Sequence, residues 1–169
     1  SSAKEALGLH PQQPVVGLFP GSRSSELRYH LPILRSLAEK YQTLPNPPQF
    51  LLPVAEVVSQ ELLDHHLAGT ETFLLQKRNA FSTVLHASDA ILTASGTASL
   101  QVALAGKPCA IFYKVSPISF WIAKGLSQVP FLGMANILLQ KEVAQEFLQD
   151  RCTPENLFHE LQKLLQDHA

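Results

Sequence analysis

Two short turns concentrate the residues that could do chemistry. One is Pro20-Gly21-Ser22-Arg23-Ser24-Ser25 and the other Ala94-Ser95-Gly96-Thr97-Ala98-Ser99. Each follows an apolar run and opens a helical pattern. A glycine there lets backbone N–H groups approach an anion, and the helix N-terminus adds roughly half a positive charge. The hydroxyls supply further donors, and Arg23 supplies a fixed cationic fork suited to phosphate. One such turn by itself would more simply be a tight bend or a helix cap. Two of them, with an arginine, point to a site for a diphosphate.

Other phosphate-binding patterns are missing from the chain. There is no GxxxxGK[ST] loop and no GxGxxG, and the second apolar run ends in Leu52-Pro53-Val54 instead of the acid that would hold a dinucleotide ribose. No Asp-x-Asp pair occurs, so neutralisation by protein groups is expected, with no metal and no cofactor. His65 and His66 are adjacent, point in different directions on a helix and read as surface residues. Asp89 precedes its strand, at the end away from the turns, and reads as a turn or capping residue; His86 reads as structural. With no nucleophile or general base near either turn, an acid/base group is expected outside this sequence.

The elements that must carry these turns alternate between strand and helix. Strands are predicted at Val15–Phe19, Gln49–Val54, Thr72–Leu75, Ala90–Thr93 and Cys109–Tyr113. Helices are predicted from Glu26 to Tyr41, kinked or divided at Pro32, and over 59–67, 79–87, 119–126 and 141–149. Another is predicted from Ser95-Gly96-Thr97 to Ala105, stopped at Gly106. The last helix starts with Thr153 as N-cap and Pro154 at its first position. Residues 131–139 are ambiguous. The pattern is α/β: a Rossmann-like, doubly wound parallel sheet in one domain over 1–169, with ligand expected where the first and fourth strands diverge.

Composition sets limits. Of 169 residues 46% are hydrophobic and only 16% charged, and 13 basic against 14 acidic side chains give a net charge of −1. That excludes disorder and bulk electrostatic attraction to nucleic acid. Two cysteines without a CxxC exclude a disulfide scaffold and a thiolate zinc site. No run of about 20 apolar residues spans a bilayer. The opening Ser1-Ser2-Ala3-Lys4-Glu5 resembles no signal peptide and reads as part of a longer, cytosolic chain. Between Asp89 and Glu142 there is no acid, only Lys107, Lys114, Lys124 and Lys141. That interval suits a diphosphate and a nearby anionic lipid. Phe120-Trp121-Ile122 within it reads equally as a lipid contact or as buried aromatic packing.

Leu18-Phe19-Pro20-Gly21-Ser22-Arg23-Ser24-Ser25-Glu26 resembles the PGSR motif of the lipid-A-disaccharide synthases. Ala87-Ser88-Asp89-Ala90, Ala94 through Leu100, Tyr113 through Pro117, Phe120 through Lys124, Asn136-Ile137-Leu138 and Glu146 through Gln149 match that family in order, so the resemblance runs from Val15 to Gln149. It implies one half of a GT-B glycosyltransferase: the C-terminal, donor-binding domain, with an N-terminal acceptor domain elsewhere. It implies a hexosyltransferase that moves 2,3-diacylglucosamine from UDP-2,3-diacylglucosamine to 2,3-diacylglucosamine 1-phosphate (lipid X) with inversion. The products are lipid A disaccharide 1-phosphate and UDP.

Site roles follow from the same resemblance. Gly21, Ser22, Arg23 and the Ser95-Gly96-Thr97 turn would hold the diphosphate, and Asn136 would lie near the donor. Gln101 stands where the family usually has a ribose-binding glutamate, and Ala135 where it often has proline. The location implied is cytoplasmic, peripheral to the inner membrane of a bacterium, and a homo-oligomer is compatible with it. The chain by itself is expected to bind donor without turnover. Another GT-B UDP-sugar enzyme, either a polyprenyl-linked N-acetylglucosaminyltransferase or a UDP-sugar epimerase, is the competing enzyme reading. A non-catalytic nucleotide-binding module is the competing reading of another class.

Overall fold

In a computed structural model, which describes residues 2–116 and 144–166, the apolar runs form a single parallel sheet. Its strands are β1 (Val15–Phe19), β2 (Gln49–Val54), β3 (Leu74–Arg78), β4 (Ala90–Ala94), β5 (Cys109–Tyr113) and β6 (Gln145–Leu148). Their order is β3-β2-β1-β4-β5-β6, so the connection reverses between β1 and β4 as expected. The helices are α1 (Ser2–Ala6), α2 (Ser24–Tyr41), α3 (Gln60–Leu67), α4 (Phe81–Ala87), α5 (Thr97–Leu104) and α6 (Pro154–Gln166).

Strand alternation splits the core in two. Val16 and Leu18 of β1 pack with Leu27, Leu31 and Leu34 of α2, Leu63 and Leu67 of α3, and Leu157 and Leu161 of α6. Val15 and Phe19 join Val84 and Leu85 of α4 and Val102 of α5 on the other face. All five residues of β1 and of β4 are buried. A strand covered on both faces has no wet side on which to place charge, which accounts for much of the low charge content.

Four expectations change. Pro32 does not divide α2, which runs unbroken through 18 residues. An internal proline costs about 3 kcal/mol, whereas each buried leucine of α2 stabilises by roughly 1.5–3 kcal/mol, and Leu27, Leu31, Leu34 and Leu37 are all buried. Pro32 and Arg28, whose carbonyl loses its partner, are exposed, so water can satisfy that oxygen. Residues 145–148, predicted helical within 141–149, are instead β6. They extend the sheet beside β5, with Ala110 opposite Gln145 and Phe112 opposite Phe147, and a 3₁₀ turn at Gln149–Arg151 follows. Burial of Phe147 and the ladder with β5 override the helix propensity of Gln, Glu and Leu.

β3 starts and ends later than predicted. As an edge strand it tolerates the polar Gln76-Lys77-Arg78 that alternation alone would exclude. α1 was not foreseen. It is anchored by Lys4, whose Nζ donates to Asp89 Oδ2 at 2.9 Å and to the Gln13 carbonyl at 3.2 Å. Asp89 Oδ2 also accepts from Val15 N at 2.8 Å, so this carboxylate joins the starts of β1 and β4 and is structural, as the sequence suggested. The predicted helix at 119–126, the ambiguous 131–139, Phe120-Trp121-Ile122 and Asn136 lie outside the described residues.

Candidate functional site

The site is built where β1 stops pairing with β2. Their ladder ends at Gly17 opposite Leu51, while β1 continues against β4 to Phe19 opposite Thr93. Pro53, which has no N–H to donate, lies beyond that last pair, and β2 there pairs with β3 alone. The carboxyl ends of β1 and β2 therefore border a cleft of about 590 Å³, lined among others by Phe19, Pro20, Gly21, Ser22, Pro53 and Val54. Asn79, Ala80, Phe81 and Ser82 before and within α4 form another wall, and Ala98 of α5 reaches it from the second turn. Phe81 packs edge-on against Phe19, with ring centroids 4.9 Å apart.

Two further residues shape this cleft without having been singled out in the sequence. Arg78 donates to the Ala55 carbonyl at 3.4 Å and the Val58 carbonyl at 2.9 Å, which holds the loop after β2 against β3. Asn79 has φ +53°, a left-handed conformation that asparagine tolerates better than most residues, and its N–H points to the Val54 carbonyl at 3.4 Å.

Both glycine turns adopt conformations that need glycine. Gly21 has φ +90°, and a Cβ there would sit 3.1 Å from Glu26 Oε1 and 3.8 Å from Ala94 Cβ. The first turn thus lies directly against the end of β4, where the second begins. Gly96 has φ +136° and ψ −159° and stands at the N-cap of α5. Its carbonyl accepts from Ser99 N at 3.2 Å and Ser99 Oγ at 2.6 Å. Ser95 N donates to the Phe112 carbonyl at 3.0 Å, which hangs the second turn from the end of β5.

Arg23 is the N-cap of α2, exposed and in an extended conformation, and its side chain does not cap the helix. The first turn of α2 is therefore left without a side-chain cap, beside an exposed arginine. Glu26, in that first turn, lies close enough to the Tyr113 hydroxyl to act on it electrostatically. Burial and the Glu26 carboxylate push the Tyr113 hydroxyl up to about 12, against a smaller opposing effect of Arg23. Gly21, Arg23, Glu26 and Tyr113 are thus one neighbourhood at the carboxyl ends of β1 and β5.

Of the residues predicted for the site, Gly21 and Ser22 line the cleft and Arg23 follows them directly at the head of α2. Ser95, Gly96 and Thr97 form the neighbouring turn and the start of α5. Gln101 lies exposed one turn further along α5. The cleft opens on the β1–β2 side of the reversal point, and the second turn reaches it through Ala98. His65 and His66 sit on α3 with their rings 4.9 Å apart at 82°, away from the cleft. Among the described residues no three His, Cys, Asp or Glu side chains converge as metal ligands do, and no helix there is long and apolar enough to cross a membrane.

His30 is the residue the sequence reading missed. It is fully buried in α2. Its Nδ1 lies 2.8 Å from the Pro20 carbonyl, and its Nε2 accepts from Lys114 N at 2.9 Å. A backbone N–H can only donate, so Nε2 must be unprotonated and Nδ1 must carry the proton. Burial holds the imidazole below its ordinary 6.5, outweighing the opposing pull of the Pro20 carbonyl and Glu26. The signal was available: position 30 falls three after Leu27 and four before Leu34, on the apolar stripe of α2.

Comparison with known proteins agrees with this architecture. The family model described as Lipid-A-disaccharide synthetase matches residues 1–169. The lipid-A-disaccharide synthase of Syntrophotalea carbinolica is 40% identical over 161 residues, covering 95% of this chain and 41% of that protein. That of Trichlorobacter lovleyi is 38% identical over 165 residues, covering 98% and 43%. The chain thus spans less than half the length of these relatives. Among solved structures, E. coli ADP-heptose lps heptosyltransferase II aligns with a TM-score of 0.64 at 20% identity, over 99% of this chain and 51% of that one. UDP-GlcNAc 2-epimerase from Neisseria meningitidis, bound to UDP-GlcNAc, aligns with a TM-score of 0.57 at 16% identity, over 98% and 40%. Those two likenesses show the fold, a Rossmann-like half of the GT-B kind. The sequence match, which runs from end to end and through both glycine turns, shows more: the chain belongs to the lipid-A-disaccharide synthetase family.

Proposed function

We propose that this chain is the donor-binding half of a lipid-A-disaccharide synthase and that its two glycine turns hold the diphosphate of a UDP-sugar. The observation that carries the reading is the juxtaposition of Gly21 with Ala94. It brings the turn that opens α2, with Arg23 at its N-cap, against the end of β4, from which the turn that opens α5 leads off. Beside that point the largely apolar cleft between Phe19, Pro53 and Phe81 suits a flat, uncharged base. Asn79 and Ala80 offer backbone groups at its rim for the base edge.

In the reaction an acceptor hydroxyl attacks the anomeric carbon of UDP-2,3-diacylglucosamine. Its proton passes to a base contributed by the rest of the protein, the bond from that carbon to the diphosphate oxygen breaks, and UDP leaves with inversion. The acceptor is 2,3-diacylglucosamine 1-phosphate. Charge growing on the leaving diphosphate is met by Arg23 and by N–H groups already oriented at two helix starts, so little reorganisation accompanies bond breaking. Gln101 can accept from a ribose hydroxyl as an uncharged partner. The full protein works at the cytoplasmic face of the inner membrane, where both lipid substrates reside.

Assaying the full-length protein with UDP-2,3-diacylglucosamine and its acceptor tests this. The parent should form the disaccharide and UDP, Arg23→Ala should lose most of kcat/KM, and the 169-residue chain by itself should form none. Full activity in Arg23→Ala, or turnover by the chain alone, would refute the assignment.

A further inference from the structure

The first glycine turn is not joined to the second only by proximity. The Pro20 carbonyl meets His30 Nδ1, His30 Nε2 meets Lys114 N, and two residues earlier the Phe112 carbonyl takes the N–H of Ser95. One side chain therefore closes a hydrogen-bonded path from the first turn, across the end of β5, to the second. The far side of that path is also fixed. The Gln149 amide accepts from Val115 N at 2.9 Å and donates to the Val115 carbonyl at 3.2 Å. The ring is clamped edge-on by Phe112 at 4.9 Å and by Tyr113 at 5.7 Å.

We infer that His30 is a positioning residue: a neutral imidazole, protonated at Nδ1, that sets the spacing of the two glycine turns and so the grip of the site on a diphosphate. The inference rests on the proposed diphosphate site for its ligand, while the tie between the turns stands on the hydrogen bonds alone. Leucine would fill the same helical stripe equally well for packing. A histidine is needed only if both polar ends are used.

Protonating Nε2 would replace an acceptor by a donor facing the Lys114 N–H, so the tie holds only in the neutral form. The titratable or charged groups at the ring are Glu26 from α2 and Tyr113 from β5, with the Lys114 backbone beyond it. One step further out, Arg23 at the N-cap of α2 acts on Tyr113, Gln149 holds Val115, and Cys152 lies near Lys114, its thiol pushed up by burial to about 11. Glu26 pulls the ring toward protonation and burial opposes it more strongly. The tie is therefore intact at neutral pH and opens in acid, below 6.5.

The experiment compares the parent chain with His30→Leu and His30→Gln by UDP titration calorimetry, at neutral pH and again well below 6.5. Thermal unfolding and amide exchange at Lys114 accompany it. His30→Leu should still unfold cooperatively, lose protection at Lys114 N–H, and bind UDP roughly tenfold or more weakly. His30→Gln, whose amide can both donate and accept, should recover part of the affinity. The parent should lose more affinity in acid than His30→Gln does, a comparison that cancels titration of UDP itself.

A folded His30→Leu that binds UDP within about twofold of the parent overturns the inference. If His30→Leu does not fold, identical acid losses in the parent and His30→Gln overturn it, and a smaller loss in His30→Gln upholds it. If the parent binds no UDP, the diphosphate reading fails, and the tie is decided separately by Lys114 N–H: protection in the parent that is lost in His30→Leu and at least partly kept in His30→Gln upholds it, whereas an unprotected parent or equal protection in His30→Leu overturns it.

Discussion

Gly96→Ala separates a turn that binds from a turn that merely bends. Gly96 has φ +136° and ψ −159°, a region open to glycine and costing other residues about 1–3 kcal/mol. A Cβ there meets nothing within 4 Å, so no packing cost is added. Alanine also stiffens the unfolded chain, which offsets about 0.4–1 kcal/mol. At the middle of both ranges the net destabilisation is about 1.3 kcal/mol, or about 3–5 °C in Tm for a domain of this size. Gly106→Ala is the control. Gly106 has φ +72°, again with nothing within 4 Å, but stands past the other end of α5. Both variants should lose stability to a similar degree in differential scanning calorimetry. Only Gly96→Ala should lose UDP affinity, by about tenfold or more, because the head of α5 must re-form to relieve the strain. Equal UDP affinity in the two variants would show that the second turn has no part in binding. Unchanged Tm in Gly96→Ala would refute the backbone argument itself.

Three stability predictions follow from contacts in and around the sheet. Gly17→Ala would place a Cβ 2.5 Å from Ser88 Oγ and 2.8 Å from Phe19 Cε1; it should cost about 1–3 kcal/mol, read as a lower urea midpoint at unchanged m. Asp89→Ala strands the buried Lys4 ammonium and the Val15 N–H, and because the Asp89 side chain is 42% exposed the loss should be about 1–3 kcal/mol, not that of a fully buried pair. Asp89→Asn, which keeps an acceptor for Val15, should lose less in the same melts. His30 binds fewer protons folded than unfolded, so its contribution to stability is complete above 6.5 and is lost as pH falls through its lower folded value. Urea midpoints across that window should fall with acid in the parent and change less in His30→Gln.

The sheet and the two turns were legible because each rests on a local pattern. β1, β2 and β5 are continuous apolar runs bounded by breakers, and they appear with the bounds predicted. Thr153 caps α6 by accepting from Asn156 N, as its spacing suggested, while Ser59, read as the first residue of its helix, is instead the N-cap of α3 and accepts from Leu62 N. What failed depends on partners distant in sequence. Residues 145–148 have helical propensity and become a strand because β5 offers an open edge, 35 residues away for Ala110 and Gln145. Pro32 read as a kink or a division, and α2 stays undivided because the compensating burial is spread over α3 and α6. His30 drew no reading from the sequence, since its partners at Pro20 and Lys114 are brought to it only by the fold. The cleft was invisible for the same reason: where β1 and β2 part is a property of the ladder, and Pro53 is its sole local sign.

The central claim is that the two turns bind a diphosphate with Arg23 supplying charge. Titration calorimetry of this chain with UDP and with UMP, in the parent and in Arg23→Ala, tests it directly. Charge-assisted hydrogen bonds contribute about 1.5–3 kcal/mol. The parent should therefore bind UDP more tightly than UMP, and Arg23→Ala should weaken UDP about tenfold to a hundredfold while largely erasing that preference. Equal affinity of the parent for UDP and UMP, or unchanged UDP binding in Arg23→Ala, would contradict the account.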